Sequence, residues 1–208
     1  MNADGSAQEY PGQPPYWEAW KNLEKLVGNK CKGIGVCNFT EKTLTRLLKD
    51  ATIVPLVNEV ELHALNPCLR LTPFCNSKGI HVIAYSTLGS ERHGRSENPI
   101  LTDPLIRGIA AKYGCSTATV ALSWAVQRGV TVIPKSVQRQ RIEENSRMVS
   151  LSQEDIERIN TTDQVSGKMR IADVTAGLIR VSANGTTTIL GWSPEDFGWE
   201  DRDGNWLS

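Results

Sequence analysis

The sequence predicts an α/β protein built on a parallel sheet that helices cover. Three observations carry that expectation. Four short apolar runs, KGIGVCNF (32–39), IVPLVN (53–58), IHVIAY (80–85) and VTVI (130–133), lack the polar alternation of a half-solvated strand. Stretches with helical periodicity separate them, as parallel crossovers require. The runs also close on polar residues, Cys37-Asn38, Asn58-Glu59, Tyr85-Ser86 and Lys135-Ser136, at the sheet edge where ligands collect in such folds.

Taken in order, residues 1–15 are polar and rich in Pro and Gly, and read as a loop. From Tyr16, WEAWKNLEKLVG puts Trp17, Trp20, Leu23 and Val27 on one helical face, with Gly28 just past the end. After the first strand, TEKTLTRLLKD (40–50) is a helix capped by Thr40, with Leu44, Leu47 and Leu48 turned inward. NPCLRLTPFCNSKG (66–79) opens with an Asn cap and a Pro, and Pro73 must kink or shorten it. A long loop over 86–102 follows the third strand and leads to a helix over 103–114, capped by Asp103. Ser116 caps the next helix (116–129), which buries Val120, Ala121 and Trp124. Beyond the fourth strand come helices near 138–147 and 152–160, the latter opened by Ser152, and after Thr161 the pattern fails.

Composition narrows the function classes. Of 208 residues, 39% are hydrophobic and 22% charged, and 23 basic residues balance 23 acidic ones. No global field therefore favours nucleic acid or an anionic membrane. No apolar run approaches the roughly 20 residues of a membrane span, and the start has no apolar core of a signal peptide. The five cysteines are odd in number and never spaced CxxC, which reads as reduced thiols in a cytoplasmic protein.

The stretch VIPKSVQRQRIEEN (132–145) stands out. Lys135, Arg139 and Arg141 crowd the opening of a helix, where a partial positive charge already favours acids over bases. A strongly anionic ligand would reward that arrangement, and a phosphate suits a point-charge Lys beside a forked Arg.

Four motifs in register, GIGVCNF, VNEVELH, SKGIHVIAYSTLGS and VIPKSVQRQRIEEN, resemble the second half of an aldo-keto reductase from Trp17 to Asn160. The resemblance implies an α/β fold: a parallel (β/α) half of a TIM-type (β/α)8 barrel, its last four strands, with an extra C-terminal tail. The domains are then 1–15 as an N-terminal loop, 16–160 as the half barrel and 161–208 as the tail. It also implies NADP(H) as cofactor. Lys135, Ser136 and Arg141 match the clamp on the 2′-phosphate, and Glu144 and Asn145 the pair at the adenine. Tyr85 matches the ring stacked on the nicotinamide, Ser86, Leu88 and Ser90 the loop over the pyrophosphate, and Asn38 the carboxamide ligand.

Two departures bear on that site. Cys37 stands where the family has Ser, a poorer donor. Glu59 stands where it has Gln, so an ionised carboxylate replaces an amide donor and its charge favours the oxidised, cationic nicotinamide. The family's Tyr, Lys, Asp and His tetrad lies on barrel strands that precede the matched segment, so no tetrad maps here. Tyr85 and Glu59 are left as the acid–base candidates. The implied function is an NADP(H)-dependent oxidoreductase acting on a small carbonyl or alcohol. The alternatives are an isomerase, cyclase or lyase that reuses the barrel mouth, and a non-catalytic NADPH-binding remnant.

A half barrel leaves two edge strands and an apolar inner face uncovered. A homodimer, a partner chain that completes the barrel, or the tail could cover it, and the tail brings Leu178, Ile179, Val181, Ile189, Leu190, Trp192, Phe197, Trp199 and Trp206.

Overall fold

The computed structural model describes residues 14–89, 97–171, 179–181, 187–189 and 198. Its four-stranded parallel sheet has the order β1-β2-β3-β4, with β1 at Val36–Cys37, β2 at Val57–Glu61, β3 at His81–Tyr85 and β4 at Thr131–Val132. The chain forms two compact units, one of Met1–Asn58, Pro73–Ile80 and Asp173–Ser208, the other of Glu59–Thr72 and His81–Ala172.

In the first unit, helix α1 (Tyr16–Glu24) is shorter than its periodicity suggests, and Leu23 is 41% exposed. Trp20 is its buried anchor, donating from Nε1 to the Ile53 carbonyl at 3.0 Å. Glu24 then accepts from the Thr52 and Ile53 amides at 2.7 and 2.8 Å, which holds the approach to β2. Helix α2 (Glu41–Leu48) begins as expected on Thr40, in a reciprocal capping box with Thr43, and buries Leu44 and Leu47 while Leu48 stays partly open.

The second strand lies further along than its apolar run, over Val57–Glu61 instead of 53–58. Pro55 has no N–H to give a ladder. Asn58 takes a buried place because its amide repairs the backbone: Nδ2 donates to the Phe39 carbonyl at 2.8 Å, and Oδ1 accepts from the Phe39 amide at 3.3 Å. The third helix is corrected too. Helix α3 spans Leu71–Ser77, which leaves Pro73 in its first turns, where a missing N–H costs little. Asn66 caps no helix; its Nδ2 donates to the Glu61 carbonyl at 2.8 Å, and its backbone bridges to His63.

In the second unit β3 pairs in parallel with β4, Ile83 opposite Thr131 and Ala84 opposite Val132. Val82 and Ala84 are buried, while Ile83 and Tyr85 on the other face are partly open and Ile133 beyond β4 is 50% exposed. Helix α4 (Pro104–Tyr113) starts on the Asp103 carboxylate, which accepts from the Leu105 and Ile106 amides at 2.8 and 3.2 Å. Helix α5 (Thr117–Gln127), capped by Ser116, is buried along most of its length, from Thr119 to Ala125. Helices α6 (Arg139–Asn145), α7 (Gln153–Asn160) and α8 (Thr162–Ser166) follow, the last unannounced by periodicity. Beyond Thr161 a short antiparallel pair, β5 (Ile179–Val181) and β6 (Thr187–Ile189), also forms in what reads as a patternless tail. Of the apolar tail residues named above, Leu178, Leu190, Trp192, Phe197, Trp199 and Trp206 lie outside the described residues.

Asp155 ties this helical layer together. Its Oδ2 receives Lys112 Nζ at 2.6 Å, Tyr113 OH at 2.8 Å and Ser152 Oγ at 2.8 Å, and Arg158 approaches Oδ1 at 3.3 Å. The Lys112 hydrogen bond, helped by Ser152 and Tyr113, holds its carboxyl down at about 2, against 3.8 ordinarily. A depressed folded-state pKa adds stability above the unfolded value and loses it as the pH falls through the folded one. Wild type should therefore lose stability between about pH 4 and pH 2 more steeply than Asp155→Asn, as measured by urea midpoints across that range.

Candidate functional site

Seven residues of the second unit, Ser86–Gly89 and Ile133–Lys135, line a cleft of about 220 Å³. One wall follows directly from the end of β3. Tyr85 closes the strand, its carbonyl accepting from the Leu62 amide at 3.3 Å, and Ser86 then turns the chain at φ +55°. The Ser86 carbonyl accepts from the Gly89 amide at 2.7 Å, and Thr87, 5% exposed, donates from Oγ1 to the Ala84 carbonyl at 3.4 Å. A left-handed backbone is unusual at serine and is seen where surrounding contacts enforce it, often at functional sites. Asn38, past the end of β1 in the first unit, is exposed and has φ +60°. Thus two of the three positive-φ residues other than glycine, among the described residues, are expected site residues at strand ends.

The other wall is the segment that leaves β4. Lys135 is exposed and makes no hydrogen bond or ion pair among the described residues. Ser136 is half-buried, and its Oγ accepts from the Gln138 amide at 3.1 Å, which shapes the turn into α6. The three cations that stand together in the sequence now separate. Arg139 pairs with Glu143 at 2.9 Å along the helix, whereas Arg141 is exposed and unpartnered among the described residues. Glu144 accepts from Gln140 at 3.1 Å, and Asn145 ends the helix half-exposed.

The structure therefore brings Ser86, Leu88 and Lys135 to one cleft. Ser136, Arg141, Glu144 and Asn145 are not among its lining residues. Glu59 lies in the middle of β2, not at the strand end where the apolar run put it, and is half-buried. Ser90 lies outside the described residues. Sequence reasoning passed over Thr87, Gly89, Ile133 and Pro134 in the lining, and also Asn98, whose Nδ2 donates to the Leu88 carbonyl at 2.8 Å. Asn98-Pro99 is a turn signal that could have drawn notice.

Behind the sheet edge sits a buried polar cluster. Glu61 Oε1, 3.0 Å from His63 Nε2, also accepts from the Ile171 amide. The Leu65 amide donates to His63 Nδ1 at 3.2 Å, so that nitrogen carries the lone pair and Nε2 donates to Glu61. His63 is thus a buried support, 0% exposed, as expected of a group that caps or holds its neighbours. His81 Nε2 pairs with Thr131 Oγ1 at 2.7 Å, and His93 lies outside the described residues.

A family model described as the aldo/keto reductase family matches residues 7–164. The chain belongs to this family. Curated relatives include a D-galacturonate reductase of Hypocrea jecorina, 38% identical over 172 residues, which are 77% of this chain and 54% of that protein. An aldo/keto reductase of Synechocystis is 46% identical over 144 residues, 66% of this chain and 44% of its own length. Among solved structures, a Bombyx mori aldo-keto reductase in complex with NADP superposes with a TM-score of 0.72 at 30% identity, covering 80% of this chain and 55% of that one. This aldo/keto reductase chain spans about half the length of the curated relatives it matches. Its parallel strands correspond to part of the (β/α)8 barrel of those structures. No helix among the described residues is long and apolar enough to cross a membrane.

Proposed function

We propose that this aldo/keto reductase chain binds NADP(H) at the Ser86–Lys135 cleft and α6, and serves oxidoreduction of a small carbonyl or alcohol. The observation that carries the reading is the pair of uncommitted cations: Lys135 and Arg141 are exposed with no carboxylate partner among the described residues, while Arg139 beside them is neutralised by Glu143. Like charges left unpaired on one segment repel, and a phosphate dianion relieves that cost. The NADP complex of the Bombyx mori relative supports the same cofactor class.

Lys135 and Arg141 would hold the 2′-phosphate, with the Ser136 hydroxyl as a further donor that must leave the Gln138 carbonyl, 3.4 Å away, to serve. Glu144 and Asn145 would receive the adenine, the Ser86–Gly89 wall the pyrophosphate, and Tyr85 the nicotinamide. Bound NADPH supplies hydride to a carbonyl carbon. Tyr85 and Glu59 are the acid–base candidates in this segment, since by resemblance none of its residues maps to the family's proton-donating tetrad.

The test is a fluorescence titration with NADPH and NADH. Lys135→Ala and Arg141→Ala should each weaken NADPH about tenfold or more, since hydrogen bonds to charged groups contribute about 1.5–3 kcal/mol. Both should leave NADH within about twofold. A wild type that binds neither cofactor, or prefers NADH, contradicts the reading and returns the non-redox alternatives to the front.

A further inference from the structure

The cleft wall Ser86–Gly89 is strained at Ser86, and among the described residues no helix or strand holds its other end. Ser86 sits at φ +55° and Gly89 at φ +74°, joined by the bond from the Gly89 amide to the Ser86 carbonyl. One side chain holds the far end. Asn98 donates from Nδ2 to the Leu88 carbonyl at 2.8 Å, while its Oδ1 accepts from the Ile100 and Leu101 amides at 3.0 and 3.1 Å. Its own carbonyl accepts from Thr102 Oγ1 at 2.8 Å and from the Thr102 amide at 3.1 Å. The amide is thereby oriented from both ends, on a shoulder that Ile100, 0% exposed, anchors ahead of α4. Gly89 packs so closely that a Cβ there would meet Asn98 Oδ1 at 2.7 Å.

We infer that Asn98 is a positioning residue that preorganises the Ser86–Gly89 wall and so slows release of the ligand's pyrophosphate portion. The inference rests on the NADP(H) reading above. The division of labour within its amide makes it separable from folding. Oδ1 builds the turn into α4, and Nδ2 alone reaches the wall, so Asn98→Asp keeps both acceptor bonds and replaces the wall tether with an oxygen that repels the Leu88 carbonyl. A wall that must be ordered upon binding lowers affinity by the cost of ordering it.

The experiment compares wild type, Asn98→Asp and Gly89→Ala in the full chain by stopped-flow fluorescence with NADPH, with equilibrium competition by 2′-AMP alongside. 2′-AMP carries the adenine and 2′-phosphate without the pyrophosphate. The expected result is NADPH dissociation about tenfold faster or more in both variants, with 2′-AMP affinity within about twofold of wild type. Equal loss for both ligands overturns the inference, because it marks a structural role with no bias toward the wall. Wild-type dissociation rates in Asn98→Asp also overturn it and leave the cofactor reading intact. A wild type that binds neither NADPH nor 2′-AMP removes the cofactor reading and this inference together. Gly89→Ala reaches the wall from the opposite side, so the inference stays testable should Asn98→Asp fold poorly.

Discussion

Glu61→Leu should destabilise the protein by about 2–6 kcal/mol, because two buried donors lose their acceptor and each unsatisfied group costs about 1–3 kcal/mol. The donors are His63 Nε2, 3.0 Å from Oε1, and the Ile171 amide. Both converge on the same oxygen of a residue 1% exposed. Leucine fills a similar volume and supplies neither lone pair. Glu61→Gln keeps an amide oxygen where Oε1 lies and should recover most of the loss, so the pair of variants separates accepting from carrying charge. Urea unfolding reads the outcome as a fall in midpoint with an unchanged slope. Equal stability of the Leu and Gln variants would refute the account. The effect also reaches the sheet edge, since Asn66 and Cys68 donate to the Glu61 carbonyl, at 2.8 and 3.6 Å respectively.

Trp124→Ala should cost about 3–5 kcal/mol, the range for removing a large buried aromatic. The indole is 0% exposed in α5, and its Nε1 donates to Asn160 Oδ1 at 2.9 Å at the end of α7. The Arg128 guanidinium lies 4.5 Å from the ring centroid and donates to the Pro67 carbonyl at 2.7 Å. Burial pushes Arg128 down from its ordinary value, so the ring face beside it helps to hold the charge. Trp124→Phe keeps an aromatic face for the cation and loses the bond to Asn160 with only part of the ring's volume. It should cost about 1–3 kcal/mol as the half-buried Asn160 oxygen loses its donor and the core loses volume. If the Phe and Ala variants unfold at the same urea concentration, the bond to Asn160 and not the ring's volume dominates, contrary to expectation.

Local chemistry was the legible part of this fold. Thr40, Asp103, Ser116 and Ser152 cap the helices they precede, because a cap needs only a short side chain and the amides two or three residues on. Gly114 closes α4 at φ +61° for the same local reason. Where partners are distant in sequence, local reading failed. The run 53–58 is apolar enough for a strand, yet the strand falls on VNEVE, since Phe39, His63 and Ile171 satisfy Asn58 and Glu61. Asn66 has the look of a cap and serves the Glu61 carbonyl instead.

The candidate site divides in the same way. By itself the sequence determined the helix signals, the parallel α/β class, the family and the run of cations after the fourth strand, since these depend on residue type and spacing along the chain. The pairing of Arg139 with Glu143 is itself local, four residues apart on one helix, whereas tertiary structure decided where Glu59 lies in its strand. It also decided that Asn98 reaches back to Leu88 to hold one wall of the cleft. A hydrogen bond between residues ten apart, or a carboxylate buried because an amide 110 residues later meets it, leaves no periodic trace in the chain, because the free energy resides in the pair and not in either residue.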